Sequence, residues 1–160
     1  RMKDLRLTLV QTPIRWEDPE GARKDLDGHL DAISGPTDLI VLSEMFTTGF
    51  SMDSHRLAED MDGPSVQWML WQAERLQALV LGSLIIRDGE DIFNRCLCAF
   101  PDGSLLHYDK AHLFTWRASI NTTHAAGRAW SLSTWAGASL PSSATTSDFR
   151  SGCATPQTST

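Results

Sequence analysis

Apolar runs of strand length alternate here with stretches of helical period, and that order predicts an α/β fold in which helices pack on a central sheet. Three observations carry the expectation. The runs "LRLTLVQ" (Leu5 to Gln11) and "TDLIVLSEMF" (Thr37 to Phe46) read as strands, "GPSVQWMLWQAERLQALV" (Gly63 to Val80) carries a helical stripe, and "DIFNRCLCAFPDGSLLHYDKAHLF" holds a Pro-Gly turn. At 160 residues, 41% hydrophobic and 21% charged, the chain has the size and composition of one ordinary globular domain.

Each element has a local reason. Leu5 to Gln11 is a short aliphatic run ending at Thr12-Pro13, which predicts a buried strand. Asp18-Pro19-Glu20-Gly21 starts a helix with acids and a proline, Leu26, Leu30 and Ile33 recur at helical spacing, and Gly35-Pro36 stops it. Thr37 to Phe46 is apolar without alternation, as expected of a strand covered on both faces. Pro64 and Ser65 open a second helix, with Val66, Met69, Leu70, Ala73 and Leu76 along one stripe. "LVLGSLIIRDG" gives another strand. A hairpin follows, because Pro101 presets one dihedral of the turn and Gly103 permits a later one.

Bulk properties exclude several classes. A net charge of -6 and the absence of a Lys/Arg run argue against a nucleic-acid partner. No apolar run has bilayer length, and "RMKDLRLTLVQ" reads as a charged start before a strand, so the expectation is a cytoplasmic protein with no membrane partner. Three cysteines, Cys96, Cys98 and Cys153, are too few for a disulfide framework and are expected to be free thiols. Cys96 and Cys98 alternate with Leu97, so one of them is expected to pack inward, and their spacing lacks the second ligand pair of a zinc site. The five His residues, Asp53, Asp60 and Asp62 form no recognisable ligand set, and neither a metal nor a cofactor is expected.

Two residues stand where chemistry is done in open α/β sheets. Glu44 lies where "LIVLSEMFTTGF" runs out of apolar residues, and Lys110 follows "HY" at the end of the last strand. Ligands bind outside the carboxyl ends of strands in such sheets. Position alone leaves two readings open for each: a solvated strand-end charge, or a member of a site.

The surrounding segments resemble the nitrilase superfamily of carbon-nitrogen hydrolases. "DLIVLSEMFTTGF" is similar to that family's first catalytic segment, with Ser43 where the family usually has Pro, and "NRCLCAFPDGSLLHYDKAHLF" to its second. "EMFTTGFSM", "DGPSVQWM" and "YDKAHLF" are closer to the omega-amidase branch than to true nitrilases, and the resemblance covers nearly all of residues 4 to 114. It implies an incomplete α-β-β-α sandwich over residues 1 to 114, with an irregular or disordered tail. It implies Glu44 as general base and Lys110 as oxyanion stabiliser beside a nucleophilic Cys, acting on a small-molecule amide resembling 2-oxoglutaramate, without cofactor. It also implies a homodimer, an assembly in doubt for a chain carrying about half of the sandwich.

The family's nucleophile lies in a turn reading roughly "CYDLRFP", and this chain has no such motif. Cys153, in "RSGCATPQ", has the wrong neighbours and no strand pattern before it, so it is rejected as the nucleophile. The composition breaks in the same region: 18 of the 46 residues from 115 to 160 are Ser or Thr, against 12 of the first 114. The genetic code supplies an explanation. Ser142 to Ser151, written AGT TCT GCT ACG ACC TCC GAT TTC CGG TCT, reads "FCYDLRFPV" when displaced by two bases. In the same displaced frame "GCATPQTST" can encode "WLRNTPDFY", and "TWRASINTT" can encode "MAGEHQHY", similar to the family segment that supplies a further active-site Glu. The expectation is a frame break just after Phe114, leaving residues 115 to 160 out of frame and not natively folded.

Three alternatives follow. The tail is a genuine Ser/Thr-rich disordered segment; the polypeptide is a catalytically inactive fragment able at most to associate with intact relatives; or the chain is a small flavodoxin-like binding module. The last ranks lowest, because no strand ends in a phosphate loop.

Overall fold

The computed structural model describes residues 4–110. Five strands, β1 (Leu7–Leu9), β2 (Leu39–Val41), β3 (Leu79–Asp88), β4 (Asp91–Ala99) and β5 (Leu105–Asp109), lie in that order in one sheet. The first three run parallel, and β3, β4 and β5 are antiparallel neighbours. Helices α1 (Pro19–Asp31), α2 (Ser54–Leu57) and α3 (Pro64–Leu76) complete the described chain, which is the α/β layering expected from the sequence.

Local chemistry accounts for the helix ends. The Asp18 carboxylate accepts the Gly21 N–H at 3.0 Å, and Pro19 occupies the first turn, where its missing N–H costs nothing. On α3 the Glu59 carboxylate accepts both the Ser65 N–H (2.7 Å) and the Ser65 hydroxyl (2.5 Å), which caps the helix from a preceding loop. That helix stops at Leu76, the last residue of the expected stripe, because Gln77 turns left-handed (φ 50°, ψ 41°) and Leu79 and Val80 begin β3.

α1 and α3 pack on one face of the sheet. Leu26 and Leu30 from α1 and Val66, Met69 and Ala73 from α3 meet Ile40, Val80, Leu84, Ile86, Leu97 and Ala99, all buried. Burying one such aliphatic side chain contributes about 1.5–3 kcal/mol, so this layer carries most of the stabilisation of the described residues. The other face holds a smaller cluster, Leu57, Ile85 and Ile92, beneath α2.

Four expectations require correction. The Leu5 to Gln11 strand shrinks to Leu7–Leu9 and is exposed, with Leu7 at 52% and Leu9 at 70%, because it lies at the sheet edge. The Thr37 to Phe46 run is a strand only over Leu39–Val41; after Leu42 the chain leaves the sheet, and Phe46 reaches the core by folding back over β3 against Trp68, with ring centroids 5.7 Å apart. Gly82 permits this, since a Cβ there would stand 2.9 Å from the Phe46 ring. β3 and β4 form a further hairpin through Gly89 (φ 66°) and Glu90, unanticipated beside the expected one at Pro101 to Gly103. Cys96 and Cys98 share one face of β4, neither being fully buried, and Leu97 is the residue that packs into the helix-side core. Phe114, Cys153 and the whole of residues 115 to 160 lie outside the described residues.

Candidate active site

Glu44 follows the end of β2 by three residues, and the next residue, Met45, has φ 53°. The Met45 carbonyl accepts the N–H groups of Thr48 (3.1 Å) and Gly49 (2.8 Å), closing a tight turn that redirects the chain away from the sheet. Lys110 is the first residue past β5, and its N–H reaches the Asn94 carbonyl on β4 at 3.0 Å, so one more rung of the ladder fixes its position.

These placements bring two distant charges together. Lys110 Nζ lies 2.6 Å from Glu44 Oε1, and Asn94 Nδ2 donates to the same oxygen at 2.7 Å. Hydrogen bonding to the Lys110 ammonium holds the Glu44 carboxyl below the usual glutamate range; partial burial opposes that, and the Asn94 amide adds to it. Both side chains remain open to solvent, 39% for Glu44 and 40% for Lys110. An ionised carboxylate beside an ammonium group, both approachable, can accept a proton and stabilise developing negative charge.

The pair lines a cleft of about 300 Å³. Val41, Leu42, Leu81 and Gly82 form its apolar part, and Ser83, Cys96 and Tyr108 stand beside Glu44, Asn94 and Lys110 in its polar part. Burial, with the Glu44 carboxylate adding to it, pushes the Cys96 thiol up; burial, with Cys96 nearby, pushes the Cys98 thiol up to about 12. Thiols held protonated in this way are poor nucleophiles. Among the described residues no group of three or more His, Cys, Asp and Glu could hold a metal ion, and no helix is long and apolar enough to cross a membrane.

The back of the same strands is clamped. Arg95, 3% exposed, forms a bidentate pair with Asp109 (Nε–Oδ1 2.6 Å, Nη2–Oδ2 2.9 Å) and reaches Asp88 at 3.1 Å. Arg95 and Asp109 are partners in the β4–β5 register, and their chain neighbours Asn94 and Lys110 project to the cleft side. Sequence reasoning missed Asn94. A single polar residue in "DIFNRCLC" reads as solvent-facing until the strand pairing is known.

Comparisons with known proteins agree with this architecture. The carbon-nitrogen hydrolase profile matches residues 6–135. The omega-amidase YafV of Escherichia coli (strain K12) is 37% identical over 138 residues, covering 85% of this chain and 52% of the relative. The 2-oxoglutaramate amidase of Bacillus subtilis (strain 168) is 30% identical over 111 residues, covering 68% and 43%. Among solved structures, XC1258 from Xanthomonas campestris, a CN-hydrolase superfamily protein with an arsenic adduct in its active site, superposes with a TM-score of 0.68 at 50% identity, covering 71% of this chain and 43% of that one. The fold and the sequence place the chain in one class: it belongs to the carbon-nitrogen hydrolase family. It spans about half the length of the curated relatives it matches, and the family match continues past Phe114 to residue 135.

Proposed function

We propose that the chain carries the Glu-Lys portion of an amidohydrolase site that cleaves the terminal amide of a small omega-amide, resembling 2-oxoglutaramate, to a carboxylate and ammonia. The observation that carries the reading is the Glu44–Lys110 pair, 2.6 Å apart in a cleft at the strand ends. The likeness to omega-amidases supports the substrate class.

In this reading Glu44 takes the proton of a cysteine thiol as the sulfur attacks the amide carbon, and Lys110 stabilises the oxyanion that forms. Ammonia leaves with the proton returned by Glu44, and Glu44 then activates the water that hydrolyses the thioester. The nucleophilic cysteine is not among the described residues. Cys96 and Cys98 are unsuited to the role, since their thiols are held protonated.

A second reading is favoured by the composition break. That Ser142 to Ser151 can be encoded by codons which read "FCYDLRFPV" in a displaced frame supports a frame break after Phe114, which would remove the nucleophile and leave an inactive polypeptide. The domain division at residue 114 belongs to this reading, as does doubt about the family homodimer. A cytoplasmic location fits both readings. The family match that reaches residue 135 bears on where the break lies, and the codons from Phe114 onward decide it.

The test compares the purified chain with a frame-restored version in an assay of ammonia release from 2-oxoglutaramate. The restored protein is expected to be active, and its Glu44→Gln variant to lose about 10²–10⁴-fold in kcat. Activity in the unaltered chain would rule out the inactive reading, and a restored protein indifferent to Glu44→Gln would rule out the assignment of the base.

A further inference from the structure

We propose that Ser83 is a positioning residue for the Glu44 carboxylate: its hydroxyl holds the turn at Met45 that aims Glu44 at Lys110 and Asn94. The inference rests on the reading of Glu44 and Lys110 as the working pair, and it adds to that pair a residue outside both catalytic segments.

β2 and β3 exchange ladder hydrogen bonds as far as Leu42, whose N–H reaches the Leu81 carbonyl at 2.8 Å. There β2 has ended and the ladder stops. Two residues further along β3, the Ser83 hydroxyl oxygen accepts the Met45 N–H at 2.9 Å. A side chain thus continues the work of the ladder after the backbone has diverged.

Met45 needs such a hold. At φ 53° it occupies the left-handed region, which costs a residue with a Cβ about 1–2 kcal/mol. Its carbonyl is already engaged by Thr48 and Gly49, so the Ser83 contact leaves neither backbone polar group of Met45 without a partner. Glu44 is joined directly to this fixed peptide, and rotation there would swing its carboxylate off Lys110. Ser83 itself is nearly buried and lines the cleft. Alanine would fit the space and leave the Met45 N–H without its acceptor.

The charged and titratable neighbours of Glu44 in the cleft are Lys110, Cys96 and Tyr108. Ser83 carries no charge, and its hydroxyl bonds the Met45 N–H and not the Glu44 carboxylate, whose hydrogen-bond partners are Lys110 and Asn94. A change on removing the hydroxyl therefore reports geometry.

The experiment follows the Glu44 carboxyl by NMR in the full 160-residue chain with ¹³C-labelled Glu, the resonance being assigned from Glu44→Gln. In the unaltered chain Glu44 is expected to titrate below the usual range. Ser83→Ala should move it up toward ordinary glutamate with the thermal melt retained, and Ser83→Thr, which keeps the hydroxyl, should restore the low midpoint. Exchange of the Met45 amide should be slow in the unaltered chain, a reading that needs no variant to fold, and roughly two- to tenfold faster in Ser83→Ala, the factor one hydrogen bond supplies. A low midpoint unchanged in Ser83→Ala overturns the role of Ser83 and leaves the Glu44–Lys110 pair standing. An ordinary midpoint in the unaltered chain overturns the pair and the proposal together, and an unprotected Met45 amide overturns the proposal alone. No outcome depends on ammonia release, so an inactive chain does not confuse the two readings.

Discussion

On the helix side of the sheet Leu84, Ile86 and Leu97 are at most 1% exposed, whereas on the other side Leu7 and Leu9 are at least half exposed. Both sides are apolar in sequence. The first is closed by α1 and α3 from the same segment of chain, and the second is uneven: buried at Leu39, Leu79, Ile85 and Ile92, half-open along the row Val41, Leu81, Cys98 and Leu106, and open at β1. A strand apolar on both faces anticipates two covers. The described residues supply one cover in full, in keeping with the four-layer sandwich that the family resemblance implies.

The largest effect expected is on the closed face. Leu97→Ala should remove about 2–5 kcal/mol of stability, because the side chain is fully buried and the surrounding helices cannot collapse into the space. Urea denaturation followed by circular dichroism measures it; a loss under about 1 kcal/mol would mean that the helix layer is not the stabilising one.

On the open face the same measurement should barely move. Leu9→Lys is expected to change stability by no more than about 0.5 kcal/mol. Its effect should instead be on association, since a charge on an exposed edge strand opposes edge-to-edge pairing. Light scattering over a concentration series should show less self-association than in the unaltered chain. A large loss of stability in Leu9→Lys would show that β1 is covered in solution and would dissolve the contrast between the faces.

How much of this was legible in the sequence depended on range. The Asp18 cap, the Leu26–Leu30 stripe and the Pro101 to Gly103 turn are set within a few residues, and each was read correctly. The exposure of Leu7 and Leu9 was not legible, because an apolar run is the same whether its cover lies nearby or elsewhere. Residues Glu44 and Lys110 were singled out by motif and strand-end position, but their meeting at 2.6 Å spans 66 positions and follows from the pairing that lays β2, β3, β4 and β5 side by side. Asn94 and Ser83 were invisible for the same reason: each acquires its role only when a neighbouring strand or turn is laid beside it.

In the cleft the two faces differ in electrostatics as they do in burial. Arg95 at the back is buried and paired with the half-buried Asp109, whereas Glu44 and Lys110 at the front are both more than a third exposed. An exposed pair of this kind contributes about 0.2–1 kcal/mol, reduced further by salt. Since contact with Lys110 lowers the Glu44 carboxyl on folding, the contribution is present above the unfolded-state glutamate range and is lost as pH falls through the lower folded-state midpoint. The stability difference between the unaltered chain and Lys110→Met should therefore be small and positive near neutrality and vanish in acid. A difference that persists at low pH would assign Lys110 a packing role, and one that is absent at neutrality and low salt would mean that solvent screens the pair completely, leaving Glu44 held by Asn94 and by the Met45 turn.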